Sequence, residues 1–339
     1  MKKWIVLFVL LCSIGMVGCQ QQSETEQHTN STETPAAQPA GQQETSKQTE
    51  STKQPVAKTE IIPAPIPVIN IIDPTSDKLI HTLTPIDLGY EMDIAAYIVK
   101  IEQLAKELAR GIDGKAGYDQ RMVLDKLDEH GNLIKGKPQV LLRESILVER
   151  IMEASAIGGD IELPIEITES GYAPEDIAHL EEVAIASYTT YFNPTDASRN
   201  KNIELSAVAI NKIIVGKGDQ FSFNTVVGPR DEANGYQPAP EIINKKRVMG
   251  IGGGICQTSS TLFNAVDQLR VKYIERHHHS LDIGYVPKGR DATVSYGGLD
   301  FRFQNTASAP FLIKAIYGDN YLTIEIRTAE KYVDAFKSN

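Results

Sequence analysis

Between Gln20 and about Glu60 the chain consists almost entirely of Gln, Thr, Ser, Glu, Pro and Lys. So little apolar surface cannot offset the entropy of ordering the backbone, and the composition predicts a disordered segment. Any core must therefore form after it, from about 280 of the 339 residues, a length that accommodates two domains. As a flexible tether of roughly 40 residues, the segment has an r.m.s. span of about 35 Å.

Ahead of the tether, Lys2 and Lys3 precede an apolar run from Trp4 to about Leu11, and Met16-Val17-Gly18-Cys19 follows. A basic start, an apolar run too short to span a bilayer and a small residue before the cleavage point predict an export signal over residues 1–18. The four residues ending at Cys19 resemble a bacterial lipobox. That implies lipid on Cys19, with residues 19–60 a linker from the outer face of the cell membrane; ordinary secretory cleavage is the alternative. Of three cysteines, Cys12 leaves with the signal and Cys19 carries lipid, so Cys256 has no partner within the chain. An odd cysteine in an exported protein points to a reactive thiol, an intermolecular bond or an inert buried group. A net charge of −10 without a basic stripe argues against nucleic acid as a partner.

The remainder divides into two regions. In residues 61–186, a proline-punctuated extended stretch leads to an amphipathic helix with Ile94, Ile98, Ile101, Leu104 and Leu108 on one face and Gly111 as its stop. A turn around Gly131-Asn132, a second helix ending at Gly158, an alternating strand from Asp160 to Thr168 and a third helix opened by Pro174 follow. His130 and His179 are single histidines of solvated or capping type. In residues 187–339, a helix from about Asn200 to Asn211, a turn at Gly216–Gly218 and a strand at Phe221 precede a helix that begins at Cys256 and buries Leu262, Val266 and Leu269. Three strand-like runs, starting near His277, Ala292 and Phe311, the last with a turn at Gly318-Asp319-Asn320, complete an α+β fold in which the Cys256 helix packs on a largely antiparallel sheet.

Gly252, Gly253 and Gly254 immediately precede that helix. Glycine permits unusual φ/ψ and close backbone approach, and the first N–H groups of a helix are unpaired. A thiolate there is stabilised, and the N–H groups of Cys256 and Gln257 are candidates for an oxyanion hole. Alternation along a strand puts His277 and His279 on one face and turns His278 away. Asp300 is the expected carboxylate to orient the imidazole, with Asp291 as substitute. Cysteine on a helix, histidine on the next strand and a polar residue on the one after is the order of papain-like enzymes. Cys256, His277 and His279 as zinc ligands form no spaced pair, so neither metal nor organic cofactor is expected. Arg230 is a candidate to hold a carboxylate bidentately, or a structural loop arginine. Tyr236 and Tyr296 line a cleft or belong to the core, and Gln257 and Ser259 support the site.

The blocks "SRNKNIELSAVAINKIIVGKGDQFSFNTVVGPRDEANGY", "GIGGGICQTSSTLFNAV" and "ERHHHSLDIGYVPKGRDATVSYGGLDFRFQN" resemble the VanW-domain family over about residues 187 to 328. The family takes its name from glycopeptide-resistance gene clusters, and clostridial members are L,D-transpeptidases of peptidoglycan with a cysteine nucleophile. The resemblance implies that Cys256 is that nucleophile and His279 its histidine. It also implies peptidoglycan stem peptides as substrate and a thioester intermediate. Residues 61–186 loosely resemble the peptidoglycan-binding modules that often precede such a domain. A non-catalytic peptidoglycan-binding lipoprotein and a papain-like amidase or endopeptidase are the alternatives.

Overall fold

The computed structural model describes residues 65–243 and 246–336. The export signal, Cys19 and the expected linker lie outside them.

Strand β1 (Ile69–Asp73) pairs antiparallel with β2 (Lys78–Leu83). Helix α1 (Ile94–Arg110) is started by the Asp93 carboxylate, which accepts the Ala96 N–H at 3.0 Å, and stops at Gly111, whose φ of +84° a side chain would resist. Its buried line is Tyr97, Ile101, Ala105 and Ala109, with Leu104 and Leu108 beside it. The predicted stripe is thus rotated, and Ile94 is 47% exposed. Small alanines at fourfold spacing let a neighbouring helix approach, which large side chains would prevent. A hairpin of β3 (Lys126–Leu127) and β4 (Leu133–Ile134) turns around Asp128, whose carboxylate accepts the N–H groups of His130 and Asn132 at 2.8 and 2.7 Å. Helix α2 (Glu144–Ala154) packs Leu147 and Ile151 against α1, and β5 (Gly159–Glu162) joins β1 in parallel. The single strand expected to Thr168 is broken at Leu163-Pro164. Proline has no N–H for a ladder, and Ile165–Thr168 pairs instead with Gln139–Leu142. These elements enclose a core of their own.

The third helix of the first region is absent. Pro174–His179 is a 3₁₀ turn, and from Val183 the chain enters the nine-residue strand β6 (Val183–Tyr191). Its β-branched and aromatic residues fit a half-buried pleat, and an eight-residue partner strand settles the choice. The region boundary expected at 186/187 falls inside this strand. Helix α3 (Ala197–Ile210), β7 (Ile213–Val215), β8 (Gln220–Ser222), the hairpin β9 (Pro238–Ile243) and β10 (Lys246–Ile251), and helix α4 (Ile255–Val266) follow. The chain ends with β11 (Val271–Glu275), β12 (Arg302–Asn305), β13 (Phe311–Tyr317) and β14 (Tyr321–Thr328). The main sheet runs β6-β14-β13-β7-β3-β4, every pair antiparallel, so the early hairpin completes it; a second sheet is β8-β12-β11. Helix α4 lies on β6 and β14, with α3 beside it. The α+β class is as expected. The strand predicted to carry the three histidines is not formed: β11 ends at Glu275, and residues 276–301 form a loop pinned by one bridge between His277 and Thr293.

Candidate active site around Cys256

Helix α4 is covered on nearly every side. From Gln257 to Val266 all its residues are buried, including Thr258, Ser259, Ser260, Thr261 and Asn264. Buried polar groups need partners, and these find them in distant elements. Thr258 meets Ser206 at 2.7 Å, Thr261 meets Thr190 at 2.8 Å, and Asn264 donates to the Arg290 carbonyl at 2.7 Å. Ser259 donates to the Ala292 carbonyl at 2.5 Å and Ser260 accepts the Ala292 N–H at 2.9 Å. Ser259 is therefore a clamp on the 276–301 loop, away from any solvent-facing surface.

Each glycine before Cys256 has its own reason. Gly252 and Gly254 have φ of +92° and +108°, and a Cβ on Gly253 would stand 2.4 Å from the Ala239 carbonyl oxygen. The turn delivers a partly exposed Cys256 to the first turn of α4. Its Sγ lies 3.6 Å from the Thr293 hydroxyl and 3.5 Å from the Val294 N–H, and the His279 imidazole is near enough for its hydrogen bonding and charge to act on the thiol. The Gln257 N–H donates to the Gly254 carbonyl at 2.9 Å, so the second expected oxyanion donor is already engaged.

Asp291 orients His279, in the place expected of Asp300. Its Oδ2 accepts the His279 N–H at 2.6 Å and meets Nδ1 at 2.7 Å, leaving Nε2 for the thiol. His278, predicted to point away, meets Oδ1 of the same carboxylate at 2.7 Å. His277, predicted to share a face with His279, turns to Glu275 at 3.0 Å. Asp300, only 1% exposed, accepts from Ser222 at 2.6 Å and from the N–H groups of Asn224 and Phe301 at 2.9 and 2.8 Å. It ties β8 to β12 and holds no histidine. The geometric reason is that the histidine loop curls back on Asp291 once β11 has ended.

Charge and burial act against each other here. Burial alone would raise the Cys256 thiol, but the hydrogen bond and charge of His279, with the Val294 N–H and Thr293, hold it below its ordinary value. Burial would lower His279, yet Cys256 and Asp291 raise it. Burial would raise Asp291, and its bonds to His278 and His279 lower it. All three shifts favour thiolate, imidazolium and carboxylate in a row. Such a row can attack a carbonyl and return a proton to a leaving amine.

Tyr236 is core, whereas Tyr296 is 56% exposed, its ring 5.6 Å from the Arg230 guanidinium. Residue-by-residue reading missed Arg199, which donates to the Gln257 side chain at 2.7 Å, and Tyr285, whose ring lies 5.9 Å from Arg199. Neither has a motif of its own. His130 is exposed and His179 bonds Glu182 at the surface, as solvated groups. Among the described residues no three His, Cys, Asp or Glu side chains are grouped to hold a metal ion.

A partly exposed thiol beside an imidazole that a buried carboxylate orients defines an α+β domain with a cysteine–histidine–aspartate constellation. Residues 198–327 match the family described as VanW like protein. The chain is 42% identical over 193 residues to the uncharacterized protein YoaR of Bacillus subtilis (strain 168), covering 56% of this chain and 63% of that protein. It is 30% identical over 117 residues to the vancomycin B-type resistance protein VanW of Enterococcus faecalis (strain ATCC 700802 / V583), covering 33% of this chain and 42% of that protein. Less than two thirds of either relative is spanned. No solved structure gives a significant match.

Proposed function

We propose that the VanW domain is a cysteine acyltransferase of the cell wall, an L,D-transpeptidase that forms 3→3 crosslinks between peptidoglycan stem peptides. The Cys256–His279–Asp291 row carries this reading. The Cys256 thiolate attacks the carbonyl at the L-centre of a diamino acid; the terminal D-alanine leaves as His279 protonates its nitrogen, and a thioester remains. The side-chain amine of a second stem attacks the thioester, His279 takes its proton, and the thiolate is released. The Cys256 N–H, in the first helical turn where the helix supplies no acceptor, stabilises the oxyanion. A thioester keeps the acyl group activated without ATP, which suits an exported protein. A relative named for vancomycin resistance points the same way, toward the wall. Lipid on Cys19 holds the domain at the outer face of the membrane. Labelled palmitate should be lost in Cys19→Ala, and retention of label or of membrane association would remove the anchor from the reading.

The test of the reaction incubates the chain from residue 61 onward with disaccharide-tetrapeptide and follows products by mass. A dimer lacking one alanine, absent for Cys256→Ala, is the expected result. Tripeptide alone would replace the reading with a carboxypeptidase, and cleavage elsewhere in the stem with an endopeptidase. Unchanged substrate that co-purifies with the protein would make it a peptidoglycan-binding module.

A further inference from the structure

The two outer glycines of the turn are seats for two arginines. A Cβ on Gly252 would stand 3.1 Å from Cβ of Arg230, and a Cβ on Gly254 would stand 2.8 Å from Cγ of Arg199. Both arginine side chains therefore start against the backbone that delivers Cys256, and the charge of each couples to the thiol. Neither has a carboxylate in ion-pair contact among the described residues. Arg199 donates to the neutral amide of Gln257 at 2.7 Å, while both Nη atoms of Arg230 are buried with no hydrogen-bond partner. Buried guanidinium N–H groups without a hydrogen-bond acceptor are costly, and a bound anion is one way to satisfy them. The rings of Phe223 and Tyr296 lie 5.6 Å from the Arg230 guanidinium carbon. They are cation–π neighbours of the guanidinium but give its Nη atoms no hydrogen-bond acceptor, and those atoms keep the fork that fits a carboxylate. Phe223 is fully buried and Tyr296 is 56% exposed, so Tyr296 is the side that can yield to an incoming ligand.

We propose that Arg199 and Arg230 form a carboxylate site beside Cys256 that selects acyl donors ending in a free carboxylate one residue beyond the scissile carbonyl. In such a donor three bonds separate the attacked carbon from the carboxylate carbon, a short reach that matches a thiol and two arginines set against one glycine turn. A donor that continues past that residue, or ends there in an amide, has no charge at that position. The assignment of this ligand to the leaving D-alanine rests on the transpeptidase reading; the anion site itself does not.

The experiment uses alkylation of Cys256 in the full chain, read as the mass of the Cys256 peptide so that Cys12 and Cys19 do not contribute. Iodoacetate and iodoacetamide both form an S–CH₂ bond with loss of iodide and differ in charge. The rate ratio of iodoacetate to iodoacetamide should exceed that of free cysteine by roughly tenfold or more, the effect of one charge-assisted contact. It should fall toward the free-cysteine value in Arg230→Gln and Arg199→Gln, and be partly restored by lysine at either position. N-acetyl-D-alanine should slow iodoacetamide alkylation of the unsubstituted protein, and its amide should not; this arm needs no variant to fold. A ratio equal to that of free cysteine, equal protection by acid and amide, or equal slowing of both reagents in the glutamine variants would overturn the proposal. The last pattern would mean that the arginines only stabilise the thiolate. A high ratio with no turnover of tetrapeptide would leave the carboxylate site standing and remove the transpeptidase. Crosslinking with a flat ratio would do the reverse.

Discussion

Helices α1 and α4 each anchor a core, and they are covered in opposite ways. Helix α1 buries one line, Tyr97 to Ala109, and leaves Glu102, Gln103 and Lys106 along an open groove beside α2. Helix α4 is buried on nearly every side, with Cys256 partly exposed, and spends its hydroxyl and amide groups on Thr190, Ser206, Arg290 and Ala292. The first pattern rests mainly on apolar contact, with the buried Tyr97–Ser155 hydrogen bond at 2.7 Å, and ties together only neighbouring elements. The second ties loops far apart in sequence to one helix, and hydrogen bonds of fixed direction are what hold a thiol and an imidazole in register. A helix rich in small polar residues yet hidden from solvent is thus a marker of a site.

The largest test of this contrast is at the carboxylates. Asp291→Asn should reduce turnover about 10²-fold or more, because the orienting acceptor for His279 is lost. Asp300→Asn should retain most turnover and cost about 1–3 kcal/mol of stability through its broken buried bonds. If Asp300→Asn lost turnover at unchanged stability, the role would return to Asp300. Core truncation comes next. Leu262→Ala on α4 and Ile101→Ala on α1 should each cost about 2–5 kcal/mol in denaturant unfolding. Belonging to separate cores, their effects should add within about 0.5 kcal/mol. Only Leu262→Ala should also slow Cys256 alkylation; equal slowing by Ile101→Ala would dissolve the distinction between the two helices.

The pH dependence sharpens it further. The wild-type thiolate should persist as pH falls below about 8.5, the ordinary thiol value, because the folded thiol is lowered. His279→Ala removes the leading opponents of burial, so the alkylation midpoint should move to higher pH. A midpoint unchanged or lower would deny the thiol–imidazole pair. The smallest effect is expected on the exposed face of α1: Lys106→Ala should change stability by less than about 0.5 kcal/mol and leave turnover alone. A clear loss of turnover there would give the groove a function.

How much of this was legible follows from which signals are local. The start of α4 was visible in Gly252–Cys256 because turn, cap and nucleophile are adjacent. The β13–β14 hairpin was visible for the same reason, with Gly318 to Asn320 between two alternating runs. The choice of Asp300 over Asp291 rested on an unbroken strand through the histidines. Alternation says nothing once the ladder stops, and it stopped at Glu275. The third helix was misread because 173–186 carries helical periodicity, while the β14 strand that captures Val183 onward lies far along the chain. Arg199 was invisible because only the folded turn at Gly254 brings it to the thiol.

The early hairpin has a practical meaning for anyone dividing the gene. Cutting at residue 187 follows the motif boundary and removes the first residues of β6 together with all of β3 and β4. The Leu127 N–H would no longer reach the Lys212 carbonyl, nor the Ile214 N–H the Asp125 carbonyl. Strand β7, buried at all three positions, would then face water with a row of open backbone groups, the arrangement that recruits other chains and precipitates. The nucleophile region is therefore not a cassette to be transplanted by its motif limits: the hairpin at Lys126–Ile134 has to travel with it, however far upstream it is encoded.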